Sequence, residues 1–413
     1  MTTDDLATGV LVLAGTLLCL VLVSRVTRRV SLSPVLLALV VGAVLGPQVT
    51  GVVDLTAGVP RHALLELVTL VALGLLTSSI GLRARPEDLR GSARRLVVLL
   101  LVVMPAMWLV TALGAGLLLG VPVAVALLLG AVLTPTDPGV ASTVTSGVLA
   151  RTSLPRRLRM SLQLESGAND GLAVPFVVLS GLLLAHPVGE SVHRWAVEAG
   201  REVGVALVVG PALGLLAAQL LRFAERESAV AETYLPLTGP ATALTALAAA
   251  HLLGGSGVLA AFLAGLALSL ALPQEDLREP VTSFHESLSR VALVAVFLVL
   301  GSVLPLGAWA ALGPGAFAFA AWVVLLRRLP ATLPALRLAG TGTSQALFLG
   351  WFGPLGVAGV YYLAHVQRWS PPDGEHLFAV GSLAIVASVA AAGLTSAPGV
   401  ALYRRREGSP ADA

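Results

Sequence analysis

Thirteen apolar runs, each bounded by charge or by a Gly/Pro cluster, divide this chain at roughly 6–24, 31–47, 62–81, 95–118, 121–146, 158–185, 196–221, 234–253, 256–272, 284–304, 309–329, 343–365 and 376–397. Segments of that length cross a bilayer as helices, because a helix satisfies its backbone polar groups internally where no water can. The chain therefore reads as one polytopic helical bundle rather than as several soluble domains. With 56% of its 413 residues hydrophobic and 12% charged, it lies outside the soluble range. Its net charge of +3 resides in loops and points neither to nucleic acid nor to an acidic partner. A single cysteine, Cys19, excludes an internal disulfide and a cysteine metal cluster; in its apolar run it reads as core or lipid-facing filler. The start, Met1 to Asp5, lacks the basic region of a signal peptide, so the first run reads as a retained helix.

The basic residues orient the bundle. All 26 are arginine, which leaves no lysine to carry a proton. Only Arg61, Arg194, Arg201 and Arg368 follow even-numbered runs; the other arginines follow odd-numbered runs or lie in the tail. The positive-inside rule then places the N-terminus outside and the C-terminus in the cytoplasm, and a miscounted span would have scrambled the asymmetry. The cluster at 151–159 marks the cytoplasmic interface, with contact to anionic lipids as a secondary role.

Two runs are interrupted at mid-depth. Leu133-Thr134-Pro135-Thr136-Asp137-Pro138-Gly139 sets two prolines three residues apart in the fifth, where each removes a backbone donor and clashes with the preceding turn. Gly350-Trp351-Phe352-Gly353-Pro354-Leu355-Gly356 breaks the twelfth. Irregular backbone survives at that depth only where protein or a water-filled cavity satisfies it, and paired breaks in the two halves point to an inverted-repeat secondary transporter. Of the 23 acidic residues, only Asp137, Glu165 and Asp170 fall well inside runs. On a helix, Glu165 and Asn169 share one face, and Ser166 and Asp170 the neighbouring one. With the fifth and sixth spans antiparallel, the two aspartates, the hydroxyls of Thr136 and Ser166 and the freed carbonyls form an oxygen-rich site for Na⁺, Li⁺ or K⁺. Because burial disfavours an ionised carboxylate in general, such a site also takes protons.

The motifs Thr134-Pro135-Thr136-Asp137-Pro138 and Glu165-Ser166-Gly167-Ala168-Asn169-Asp170-Gly171, the latter followed by Pro175-Phe176, resemble the monovalent cation:proton antiporter family 1, the sodium/proton exchangers. Together with residues 350–357, and with Phe284-His285-Glu286 through Gly301-Ser302-Val303-Leu304-Pro305, they look most like the fungal plasma-membrane branch and its bacterial relatives. The resemblance implies an all-α membrane fold of about thirteen helices with inverted repeats, crossing broken helices and elevator-like motion. It divides residues 1–405 into a core (about 95–185 and 309–397), a dimerisation part (about 6–81 and 234–304) and a linker helix at 196–221, followed by a short cytoplasmic tail, 406–413. It implies a homodimer in a bacterial cytoplasmic membrane, with no cofactor. Asp170 would bind cation or proton. Thr136, Asp137 and Ser166 would contribute ligands, and Asn169 would brace the crossing. Glu165 would pair with Arg328 or, as the alternative, Arg327. Many family members carry an acidic residue late in the third span, where this chain has Thr77-Ser78-Ser79. Many bacterial members carry an arginine in the twelfth-span break, where it has Leu355.

The residues also admit plainer readings. Asp170 as a cap on freed amides is one, and Asp137 as a turn-stabilising residue is another. Glu165 reads as structural, since a paired buried carboxylate need not titrate. The histidines read as interfacial or packing residues, with only His251 and His365 approaching the membrane interior. Two further function classes compete: an intramembrane aspartyl protease, for which no Gly-x-Gly-Asp motif is present, and a Na⁺-coupled carrier of an organic solute.

Overall fold

The computed structural model describes residues 3–22, 33–56, 58–137, 139–140, 142–145, 148–227, 229, 231–272 and 274–407. Arg25, Arg28, Arg29, Pro138 and the end of the tail lie outside the described residues. In chain order the helices are α1 Thr3–Leu22, α2 Pro34–Leu45, α3 Arg61–Arg83, α4 Pro86–Leu119, α5 Val123–Val132, α6 Ser142–Thr145, α7 Val148–Ser153, α8 Arg156–Ala185 and α9 Val188–Arg226. They continue with α10 Thr238–Leu252, α11 Gly257–Ala271, α12 Glu275–Ser302, α13 Leu306–Ala311, α14 Pro314–Leu338, α15 Thr343–Trp351, α16 Val357–His365 and α17 Gly374–Glu407. Each of the thirteen apolar runs contains helix. Among the described residues, seven helices (α3, α4, α8, α9, α12, α14 and α17) are long and apolar enough to cross a membrane by themselves.

Several helices start before the apolar run does. α4 begins at Pro86 rather than near 95, α9 at Val188 rather than 196, and α12 at Glu275 rather than 284. A helix continues past the hydrocarbon until something stops it, and the stops here are backbone signals. Pro86 sits in the first turn of α4, where its missing N–H costs nothing, and Asp88 accepts from the Arg85 N–H at 3.0 Å. Interruptions also exceed the two read from the sequence. α4 contains a π-helical stretch, Leu99–Val103, just before Pro105; α8 has a turn at Ala173, just before Pro175; α14 is interrupted at Arg327 and Arg328, just before Pro330.

Close helix packing rests on small residues, as it must where lipid offers no hydrophobic drive between helices. At Gly42 of α2 an added Cβ would collide with the Leu298 carbonyl of α12, and at Gly301 of α12 one would collide with the Leu39 carbonyl of α2. The reading of His285 as peripheral is corrected: it is fully buried in α12, and its Nε2 lies 2.8 Å from the Leu75 carbonyl of α3. Phe284 before it is exposed while His285 faces inward, an orientation set by helix rotation that a position near a run's end does not reveal. Cys19 is exposed on α1.

Candidate ion site between two broken helices

α5 ends at Val132 because Pro135 and the non-helical residues before it end the ladder, which leaves carbonyls without donors. Thr134 returns its hydroxyl to the Gly130 carbonyl at 2.7 Å. The carbonyls of Leu133 and Thr134 accept from Nη1 of Arg327 at 2.9 and 3.0 Å, and that of Pro135 lies 3.4 Å from the same nitrogen. The other arm of Arg327 donates to the Gly353 carbonyl at 2.6 Å, in the second break. One guanidinium thus serves carbonyls of both interruptions, at the negative end of the α5 dipole.

The second break is satisfied in the same detail. α15 ends at Trp351, and residues 352–356 are non-helical before α16 begins at Val357. The Leu355 N–H donates to Ser388 Oγ of α17 at 3.0 Å, and the Pro354 carbonyl accepts the Asp137 N–H at 2.8 Å. The carboxylate of Asp137 accepts the Val357 N–H at 2.9 Å through Oδ2 and the Gly139 N–H at 2.7 Å through Oδ1. Asp137 therefore caps the positive end of α16 from the opposite break. Any side chain at Gly356 would collide with Asp137, so this approach requires glycine.

α8 lies against this crossing and buries every residue from Met160 to Gly171. Asn169 donates to Glu165 Oε1 and to Thr136 Oγ1, both at 2.8 Å, while its Oδ1 accepts the Thr136 N–H at 3.2 Å. Thr136 Oγ1 and Ser166 Oγ are 2.9 Å apart. Glu165 receives Arg328 in a two-pronged ion pair, Nη1 to Oε1 at 2.8 Å and Nη2 to Oε2 at 3.0 Å, and Arg328 Nε donates to the Leu349 carbonyl at 2.9 Å. Both side chains are almost entirely buried. Arg327 takes the separate capping role, a division of labour between adjacent arginines that α14 permits because it is not helical there.

Asp170 differs from all of these. It is 4% exposed, yet its Oδ1 is buried with no hydrogen-bond partner among the described residues. Its backbone carbonyl, by contrast, accepts the Tyr362 hydroxyl at 2.6 Å. No hydrogen bond joins it to Asp137, so the structure gathers Thr136, Glu165, Ser166, Asn169 and Arg328 into one network and leaves the Asp170 carboxylate beside it, outside. The sequence reading missed Tyr362, Ser388 and the two-break role of Arg327; a tyrosine and a serine in apolar helices are the signal that was available for the first two. Among the described residues no three His, Cys, Asp or Glu side chains converge as a resident metal site would need.

Residues 13–401 match the family described as sodium/hydrogen exchanger, transmembrane. The chain belongs to that family. It is similar to Na(+)/H(+) antiporter 2 of Zygosaccharomyces rouxii, with 36% identity over 288 residues that make up 64% of this chain and 34% of the yeast protein. It is also similar to the K(+)/H(+) antiporter NhaP of Alkalimonas amylolytica, 26% identical over 395 residues, 94% of this chain and 66% of that protein. The chain thus spans about a third of the yeast relative and just under two thirds of the bacterial one. The structure of the sodium proton antiporter MjNhaP1 from Methanocaldococcus jannaschii at pH 8 matches with a TM-score of 0.78 at 20% identity, over 97% of this chain and 98% of that one. This family member is thus an all-helical, multi-pass membrane protein with the fold of that antiporter.

Proposed function

We propose that this exchanger-family chain moves a monovalent cation, Na⁺ or K⁺ with Li⁺ as a further candidate, against protons, and that both ions compete for Asp170. The observation that carries the reading is the Asp170 carboxylate, withdrawn from water with an oxygen that no protein group satisfies. An ionised carboxylate in that setting costs several kcal/mol on general grounds, so a closed site needs either a proton or a cation on it. Two mutually exclusive occupants of one carboxylate couple the two fluxes without a cofactor. Ser166 and Thr136 stand as hydroxyl ligands beside it. Asp137, Asn169 and the Glu165–Arg328 pair hold the surrounding backbone. The relatives named as Na(+)/H(+) and K(+)/H(+) antiporters support the class of exchange and leave both cations as substrates to test.

The same proposal includes a homodimer in a bacterial cytoplasmic membrane, N-terminus outside, with the crossing helices moving as a core against the remaining spans. The arginine asymmetry supports the orientation, and similarity to a bacterial antiporter over 94% of the chain supports the setting. The test is dequenching of a pH-sensitive dye in proteoliposomes with an imposed pH gradient, adding Na⁺, Li⁺, K⁺ and choline in turn. A cation-dependent collapse of the gradient that disappears in Asp170→Asn is expected. No response to any cation in folded, inserted protein would overturn the reading in favour of an organic solute.

A further inference from the structure

Outside the crossing, a cavity of about 600 Å³ lies between α8, α9, the α10–α11 turn and α16. Its polar rim carries Arg201 and His251, both exposed, with Glu198 and Glu202 half-buried. Its inner wall is apolar and buried, formed by Val177, Val258 and Tyr362. The loops that meet at the rim, 253–256 and 366–373, are on one membrane face by the chain's topology, together with the start of α9.

Two side chains of this wall end on backbone carbonyls of the ion site. Tyr362 Oη donates to the Asp170 carbonyl at 2.6 Å, and Ser256 Oγ donates to the Gly171 carbonyl at 3.4 Å. The helical reason is local. Pro175 has no N–H for the Gly171 carbonyl, and α8 turns at Ala173, so the backbone just past Asp170 needs donors from elsewhere. Tyr362 is 2% exposed, lines the cavity, and reaches the backbone of Asp170, which does not itself line the cavity, through its hydroxyl.

We propose that Tyr362 is a positioning residue that closes this cavity over Asp170, making the cavity the route by which ions in water reach that aspartate from the rim's side of the membrane. The ring blocks the route, and the hydroxyl fixes the α8 bend that sets where the carboxylate points. Moving the ring opens the path and releases the bend together. The functional half of this claim rests on Asp170 being the exchanging group; the structural half does not.

The experiment separates the two. In a Cys19→Ser background, Asp170→Cys is labelled with a membrane-impermeant, positively charged methanethiosulfonate added to each face of the vesicle in turn. From the rim's side, adding Tyr362→Ala is expected to raise the labelling rate about tenfold, whereas Tyr362→Phe, which keeps the ring, should change it far less. An unchanged rate with Tyr362→Ala, or faster labelling only from the opposite face, overturns the route and the closure. Should Tyr362→Ala not fold, Val178→Cys on the cavity wall takes its place: full labelling from the rim's side should abolish exchange, and retained exchange overturns the proposal. For positioning, Tyr362→Phe with Asp170 present should raise the apparent KM for the cation several-fold at near-constant maximal rate. A loss of yield with unchanged KM would mark a merely structural bond. If the Cys19→Ser parent itself exchanges nothing, the antiport reading fails, while the labelling of Asp170→Cys still decides the route.

Discussion

Asp137 and Asp170 are equally buried, each 4% exposed, and they could hardly be more differently placed. Asp137 lies in the break itself, where it takes two backbone N–H groups and caps a half-helix that begins on the other side of the crossing. Asp170 lies in helical backbone three residues before the turn at Ala173, and its buried Oδ1 has no hydrogen-bond partner among the described residues. Burial therefore does not distinguish the carboxylate proposed to exchange ions from the one that caps a half-helix; hydrogen-bond satisfaction does. A carboxylate with one amide on each oxygen weakens one of those bonds on protonation and so favours its ionised form, whereas an unpartnered one gains by binding a proton or cation.

The comparison breaks most directly at Asp170. Asp170→Asn should lower exchange by a factor of about a hundred or more, with a thermal unfolding midpoint close to that of the parent, as dye dequenching and a thermal scan of purified protein would read out. An equally inactive but well-folded Asp137→Asn would erase the distinction drawn between the two. Next in size is the ion pair beneath them. Arg328→Ala strands the Glu165 charge and should cost about 3–5 kcal/mol by denaturant titration, part of which the double change with Glu165→Gln should restore. Asp137→Ala leaves the Val357 and Gly139 amides unsatisfied and should cost about 2–4 kcal/mol, with Asp137→Asn costing less because it keeps one acceptor. The smallest effect sharpens the picture at the second break: Ser388→Ala removes the acceptor of the Leu355 N–H and should cost about 1 kcal/mol, measurable as a modest fall in midpoint with exchange retained.

Much of this was legible in the chain. Apolar runs of span length dictate helices, since hydrocarbon allows nothing else, and paired prolines at 135 and 138 dictate a break. The spacing of Glu165 and Asn169 places them on one helical face, and they are hydrogen-bonded along it. Less legible were the interruptions near Ala173 and Arg327, although Pro175 and Pro330 mark both: a proline tells that the ladder is broken, and the compensating donor comes from a distant helix. Tyr362 and Ser256 are such donors, and Ser388 is an acceptor supplied in the same way to the second break; nothing local in their own runs says which backbone group each one meets.

By itself, then, the sequence determined a helical membrane bundle, the two breaks and the few polar residues within it, because each follows from local chemistry: hydrophobic length, proline and helical period. Only the tertiary structure decided which arginine pairs with Glu165 and which bridges both breaks, which aspartate is satisfied, and that a tyrosine lining a cavity donates to the Asp170 carbonyl. Those outcomes depend on which backbone groups the breaks leave without donors or acceptors and on which side chains from other helices reach them. Adjacent residues such as Arg327 and Arg328 are equivalent to any local rule and become different only when two half-helices meet around them.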